Sequence, residues 1–252
     1  HLSFKDKLAM RKVVKKLSKM TEEERIDLDN ISFEEWLKNN GQTQNSIEVF
    51  WGFFVLAALN ISIKKASTAQ AAFLFRKGLF GNNDSFDVGA FSEDLSHIFE
   101  NQILNTLKES GVKIYKSTKV NSLIWNGEKF SQIETSKEKF SADLIILATP
   151  HHITNRLLKK NNDLTKEICE RIDKMEYNSI IGIHGLYSKM VTDEDFHFTA
   201  LVNEPIIQMV FNRNFELKDK SNSKIEQWLS VPVSYADSYL SYSNQDLKEE
   251  YK

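Results

Sequence analysis

The chain has 252 residues, 33 of them basic and 35 acidic, for a formal net charge of −2. That balance excludes a protein built mainly to hold a nucleic-acid backbone. A composition of 41% hydrophobic and 27% charged residues excludes a disordered chain and fits one large domain or two small ones. A single cysteine, Cys169, excludes an internal disulfide and a thiolate metal cage, and points to a reducing, cytoplasmic compartment. The first twenty residues lack the continuous apolar core of a signal peptide. The longest apolar run, Val49 to Leu59, has eleven residues, where a bilayer span needs roughly 18. The chain begins with His1 and not Met, which reads as a processed protein or a fragment.

The first half reads as helical. Leu8, Val13, Val14, Leu17 and Met20 lie near helical spacing over residues 3–20. Thr21 with Glu24, and Ser32 with Glu35, have the form of capping boxes, and the helix that follows Ser32 is expected to stop at Gly41. Residues 45–60 are apolar nearly all round, which predicts a buried helix. Thr68 to Phe75 reads as another helix, followed by a turn-rich loop from Gly78 to Asp84.

After residue 90 the pattern changes. Residues 92–109 fit an amphipathic helix with Leu95, Ile98, Phe99, Ile103, Leu104 and Leu107 on its inner side, closed by Gly111. Val112–Tyr115 and Val120–Trp125 read as strands. Asn126-Gly127 signals a hairpin, with Phe130–Thr135 returning antiparallel. Leu144–Ala148 is a continuous apolar run, as in a strand covered on both faces of a parallel sheet. Helix is expected again over 151–173, then strands near 177–187, 196–202, 205–212 and 226–235. Residues 244–251 read as a helix inside which the chain ends, a second sign of truncation.

Few constellations carry chemistry. His151 and His152 follow the Leu144–Ala148 run, where ligands of open α/β sheets bind. Neighbouring histidines seldom share one metal, so a helix-start or loop role is favoured over metal ligation. Cys169 stands in a charged helical context and reads as structural. No Gly-x-Ser-x-Gly elbow, Walker loop, His-x-x-x-His or Cys-x-x-Cys is present. Lys5, Lys7, Arg11, Lys12, Lys15, Lys16 and Lys19 face Asp6 alone in the first twenty residues, while residues 21–35 hold seven acids against Arg25. The two blocks either neutralise each other in the fold or leave a basic amphipathic helix for an anionic membrane surface. Phe50, Trp51, Phe53 and Phe54 serve equally as the wall of a long apolar cavity or as core.

Several of these stretches together resemble a known family. Ser32-Phe-Glu-Glu-Trp-Leu37, Phe50-Trp51 and Leu56-Ala-Ala-Leu-Asn60 resemble the squalene-associated FAD-dependent desaturases, or hydroxysqualene dehydroxylases, of the amine oxidase and phytoene desaturase superfamily. Ala66-Ser67, Gly111-Val112 with Thr118-Lys-Val120, Ala142-Asp-Leu-Ile-Ile-Leu-Ala-Thr-Pro150, Gln227-Trp-Leu229 and Ser234-Tyr-Ala236 extend the likeness over most of residues 30–240. The superfamily's opening Gly-x-Gly-x-x-Gly turn and its closing Gly-Asp motif have no counterpart here.

The resemblance implies an α/β fold, an α+β substrate domain with part of a Rossmann-like FAD domain, in which sheets of mixed strands are packed with helices. It implies segments at 1–85 (helical, substrate domain), 86–155 (return into the FAD domain), 156–240 (antiparallel sheet) and 241–252 (start of a truncated helix). It also implies FAD, a long apolar isoprenoid substrate and redox chemistry at a carbon centre. A residue like Val120 meets the adenine, residues like Ala148, Thr149 and Pro150 lie close to the cofactor, and Phe50, Trp51, Phe53 and Phe54 would line the substrate cavity. The rivals are a carotenoid desaturase, an amine oxidase-like flavoenzyme, and a non-catalytic lipid-binding module favoured by the missing phosphate turn. With that turn absent, this chain alone is expected to bind FAD weakly or not at all.

Overall fold

A computed structural model describes residues 2–251 except 83, 86, 88, 90, 92–94, 194, 203, 205 and 215–223. The sequence readings at Asn83, at residues 92–94 and at the start of the 205–212 strand lie outside the described residues. The chain divides into two compact units, one of residues 1–94 and 178–252, the other of residues 95–177. The fold is α/β, and every strand pairing among the described residues is antiparallel.

The first unit opens with α1 (Phe4–Lys19), α2 (Glu22–Asp27) and α3 (Phe33–Asn39), each started by a hydroxyl at its N-cap. Ser3 and Thr21 form complete capping boxes with Asp6 and Glu24. Ser32 caps α3 through the Glu35 amide, and Gly41, at φ 74°, ends it in the conformation that glycine adopts freely. Two longer helices follow, α4 (residues 44–59) and α5 (residues 68–79). Each contains one wide turn with i to i+5 bonding, at Ile47–Gly52 and at Leu74–Leu79. The starts of α3 and α5 lie side by side. Phe33 N–H donates to Ala66 O at 2.9 Å and Thr68 N–H to Ile31 O at 2.9 Å. Val13, Leu17, Phe33, Trp36, Leu37, Ile47, Trp51, Val55 and Phe75 form the core beneath them.

α4 departs from the buried helix that its composition predicts. Ile47, Trp51 and Val55 are buried, Phe50, Phe53 and Phe54 are half-buried, and Ala57 and Ala58 are exposed. One face anchors the core, and the rest of an apolar surface stays accessible.

The same unit ends in a four-stranded sheet of β4 (Ile181–Tyr187), β5 (Phe198–Ala200), β6 (Met209–Asn212) and β7 (Gln227–Val233), in the order β4-β7-β6-β5. β4 and β7 pair without irregularity from Ile181–Val233 to Tyr187–Gln227. Alternate residues of β7 are buried, so one face of the sheet covers Ile206, Val231, Val233 and Ala236 and the other is open.

The second unit holds α6 (residues 95–109), β1 (Val120–Trp125), β2 (Phe130–Thr135), β3 (Lys139–Ser141), α7 (His151–Leu158) and α8 (Asn162–Ile172). β1 and β2 join through the Asn126-Gly127 turn, with Gly127 at φ 102°. β3 adds a short third strand that the sequence reading does not include. α7 and α8 belong to this unit because Leu157, Leu158 and Cys169 pack with Leu123. They do not join the 156–240 segment in which the sequence reading set most of them.

Three expectations are corrected here. Val112–Tyr115 forms no strand. The stripe Leu95, Phe99, Ile103 and Leu107 of α6 is exposed and not inward, because nothing among the described residues covers it. Leu144–Ala148 is extended but lies outside both sheets, so the parallel pairing is not made. Its Ile145 and Leu147 pack into the second core, while Leu144 and Ile146 are 77% and 81% exposed. A continuous apolar run reports a need for cover on both faces, and only one face has it.

Candidate functional site

Trp51 is wholly buried. Its indole Nε1–H donates to the buried Gln42 Oε1 at 2.8 Å, and its ring meets Phe75 edge-on at 4.7 Å. It serves the core and lines none of the open grooves described below. Phe50 meets Trp51 edge-on and Phe54 at a tilt, both with centroids 5.0 Å away, and its other side lines an open apolar groove with Leu8, Met10 and Val14 of α1. That groove has a volume of about 700 Å³. Phe53 faces a second groove of about 330 Å³, with Leu56, Leu201 and Val202. Glu48, Glu204 and Gln208 stand at its edge. Helical spacing predicts that Phe50 shares a face with Phe53 and Phe54 while Trp51 points elsewhere. Phe50 does meet Phe54 and Trp51 does turn inward, but Phe53 lines a different groove from Phe50.

The wide turn at Ile47–Gly52 sets this arrangement. It depends on Gly52, because a Cβ there would lie 2.9 Å from the Ile47 carbonyl oxygen. The two acids at the second groove escape sequence reading, since Glu48 and Glu204 are far apart in the chain and neither belongs to a motif.

In the second unit, Val120 opens β1 opposite Thr135, at a register irregularity, and packs on the same core as Ile145 and Leu147. The fold thus brings Val120 onto one core with the segment that carries Ala148, Thr149 and Pro150. Thr149 and Thr154 hydroxyls are 2.7 Å apart, and Pro150 stands at the N-cap of α7, where no side chain caps the helix. His151 stacks on Tyr177 at 4.0 Å, and His152 N–H donates to the Tyr177 hydroxyl at 3.2 Å. His152 Nδ1 also bonds that hydroxyl. The histidines are thereby fixed by an aromatic partner 25 residues on, which local sequence does not disclose. Among the described residues no group of three His, Cys, Asp or Glu side chains converges as a metal site.

One buried polar atom beside Pro150 is left for a ligand to meet. His151 Nε2 is buried without a partner, whereas the amides of the first turn of α7 are taken, His152 N–H by the Tyr177 hydroxyl and Ile153 and Thr154 N–H by the Pro150 carbonyl.

Residues 2–250 match the family of flavin containing amine oxidoreductases, and the chain belongs to that family. Its cofactor is accordingly FAD. Among solved structures, a double mutant of putrescine oxidase redesigned at its cofactor site matches with a TM-score of 0.73 at 16% identity, over 99% of this chain and 57% of that one. Wild-type putrescine oxidase bound to putrescine gives 0.68 at 18% identity, over 99% and 57%. An oxidoreductase from Methanosarcina mazei gives 0.71 at 15% identity, over 99% and 58%. At these identities the likeness establishes the fold, and the chain spans less than two thirds of each of these proteins. No curated protein matches the sequence significantly. No helix of the described residues is long and apolar enough to cross a membrane.

Proposed function

We propose that the protein is an FAD-dependent oxidoreductase of the amine oxidase-like type acting on a long isoprenoid lipid, of the hydroxysqualene or squalene kind. Val120, Ala148, Thr149 and Pro150 would hold the cofactor, with the unpartnered His151 Nε2 beside them. FAD, when bound, supplies two-electron redox chemistry at a carbon centre. The protein's part is to orient an apolar chain and exclude water from it.

The observation that carries the substrate reading is the accessible apolar surface of α4. Phe50, Phe53 and Phe54 are half-buried along a helix whose core contacts are already supplied by Ile47, Trp51 and Val55. Open apolar grooves flank it on two sides. Surface of that kind gains roughly 25 cal/mol per Å² when a hydrocarbon covers it.

A second reading has its own support. Glu48 and Glu204 both line the groove of Phe53, and carboxylates beside an aromatic ring suit a cationic amine.

The test uses the full-length protein with FAD under anaerobic conditions. Oxidised flavin is mixed with squalene or with a diamine, and reduced flavin with hydroxysqualene, while the flavin absorbance is followed. Redox turnover with the isoprenoid alone supports the proposal. Bleaching by the diamine alone selects the second reading, and turnover with neither overturns both.

A further inference from the structure

We propose that the outer face of α1 is a docking surface for an anionic lipid bilayer. The inference does not rest on the identity of the substrate, although the Phe50 groove beside α1 belongs to both readings. α1 turns Val13 and Leu17 into the core, together with the buried carboxylate of Asp6. The opposite face presents Phe4, 83% exposed, and Leu8, 51% exposed, one turn apart. Lys5, Lys7, Arg11, Lys12 and Lys15 surround them, all exposed. A solvated helix face has no need of a fully presented phenylalanine. Apolar side chains set within a ring of cations are what an interfacial helix offers to lipid headgroups and the acyl boundary below them.

None of these five cations makes an ion pair among the described residues. Part of the acidic block that follows is engaged elsewhere. Glu22 pairs with Arg25 and Arg76, Glu34 with Lys38, and Glu24 caps α2 at Thr21. The two blocks meet at the end of α1, where Lys16 and Lys19 line a groove with Glu24 and Asp27, and the cations around Phe4 and Leu8 lie outside it. The Phe50 groove extends the apolar surface beside the helix, with Lys7 and Arg11 among its lining residues. A cationic edge over an apolar floor matches an anionic headgroup with its acyl chain.

The experiment is flotation of the full-length protein with vesicles of phosphatidylcholine, with and without phosphatidylglycerol, at low and high salt. Binding is expected only to the anionic vesicles at low salt, and to fall as salt screens the surface. The combined substitution Lys7→Gln, Arg11→Gln and Lys15→Gln is expected to weaken it roughly a hundredfold, from about fivefold per cation near an anionic surface. Phe4→Ser with Leu8→Ser, which keeps every charge, is expected to weaken binding as well. Circular dichroism confirms that each variant is folded, and the lipid and salt dependence of the unaltered protein reads the proposal without any variant. Equal binding to both vesicle types, no binding at low salt, or folded variants that bind like the unaltered protein would each overturn it. An absence of vesicle binding would leave an acidic protein as the partner of this face and the bilayer excluded.

Discussion

Asn60 and Tyr235, 175 residues apart, are joined by a hydrogen bond in which the Tyr235 N–H donates to Asn60 Oδ1 at 2.6 Å. Both residues are left-handed, each with φ 53°. Asn60 ends α4, and its Nδ2 donates to the Asn178 carbonyl at 2.9 Å, just ahead of β4. One side chain thus ties the end of the aromatic helix to both the entry and the exit of the β4–β7 pair. Asparagine suits the place twice, since it tolerates the left-handed conformation and carries both a donor and an acceptor.

Replacing Asn60 separates those two roles. Asn60→Gly keeps the backbone conformation and loses the hydrogen bonds, for an expected loss of about 1–3 kcal/mol. Asn60→Ala loses both and is expected to be less stable than Asn60→Gly by about 1 kcal/mol more. Urea unfolding of the three proteins measures the differences. A glycine variant as stable as the parent would show that the two hydrogen bonds contribute nothing.

Gly52 reverses an ordinary expectation. In a regular helix interior, Gly→Ala is stabilising by roughly 0.5–1 kcal/mol. Here the added Cβ would meet the Ile47 carbonyl at 2.9 Å, and that atom is backbone and cannot swing aside. Gly52→Ala is therefore expected to destabilise, by about 1–3 kcal/mol as for other overpacked sites. A raised melting temperature would mean that the wide turn relaxes freely to a regular helix.

The residues that could be read from sequence are those whose signals are local. The Thr21 and Glu24 box, the stop at Gly41 and the Asn126-Gly127 turn each act through atoms a few residues apart. The pairing of β4 with β7 is also anticipated as a strand at each place, though not as neighbours, because register depends on distant residues. The stripe of α6 and the Leu144–Ala148 run fail differently. Apolar periodicity states which side chains favour cover and says nothing of what covers them. At the candidate site, the aromatic cluster of α4 is legible as composition. Its division into Trp51 for the core and Phe50 and Phe53 for the grooves depends on the wide turn, which has no periodic signature. That Glu24 and Asp27 share a groove with Lys16 and Lys19, and not with the cations around Leu8, is a matter of geometry alone.

Asp6 gives the first unit a pH dependence. Its carboxylate accepts hydrogen bonds from the Thr43 hydroxyl, the Ser3 hydroxyl and amide, and the Asn45 amide, and these hold its pKa far below the usual carboxylate range. A group whose folded pKa is depressed contributes stability above its unfolded pKa, about 3.9, and loses it as pH falls through the folded value. Asp6→Asn is expected to be less stable than the parent by a constant margin from neutral pH down to about 4. Below that the margin is expected to narrow as the parent becomes protonated. Thermal melts of both proteins across this range measure it, and a margin unchanged into strong acid would remove the carboxylate from the account.

The grooves beside α4 are tested by Phe50 and Trp51, neighbours in sequence with different surroundings. Trp51 is closed in on every side, with its indole bonded to Gln42 and its ring against Phe33 and Phe75. Trp51→Ala is expected to cost about 3–5 kcal/mol of stability, because the core cannot collapse around so large a void. Phe50 packs on one side only, and its open side lines the groove. Phe50→Ala is expected to lose less stability and to weaken binding of an apolar substrate by about 1 kcal/mol or more, as a fivefold or greater rise in KM. Melting temperature and KM, measured for both variants of the full-length enzyme, separate the two effects. If Phe50→Ala lowers stability alone and leaves KM unchanged, the open face of α4 is not a substrate wall. The isoprenoid reading then loses its physical support and rests on resemblance.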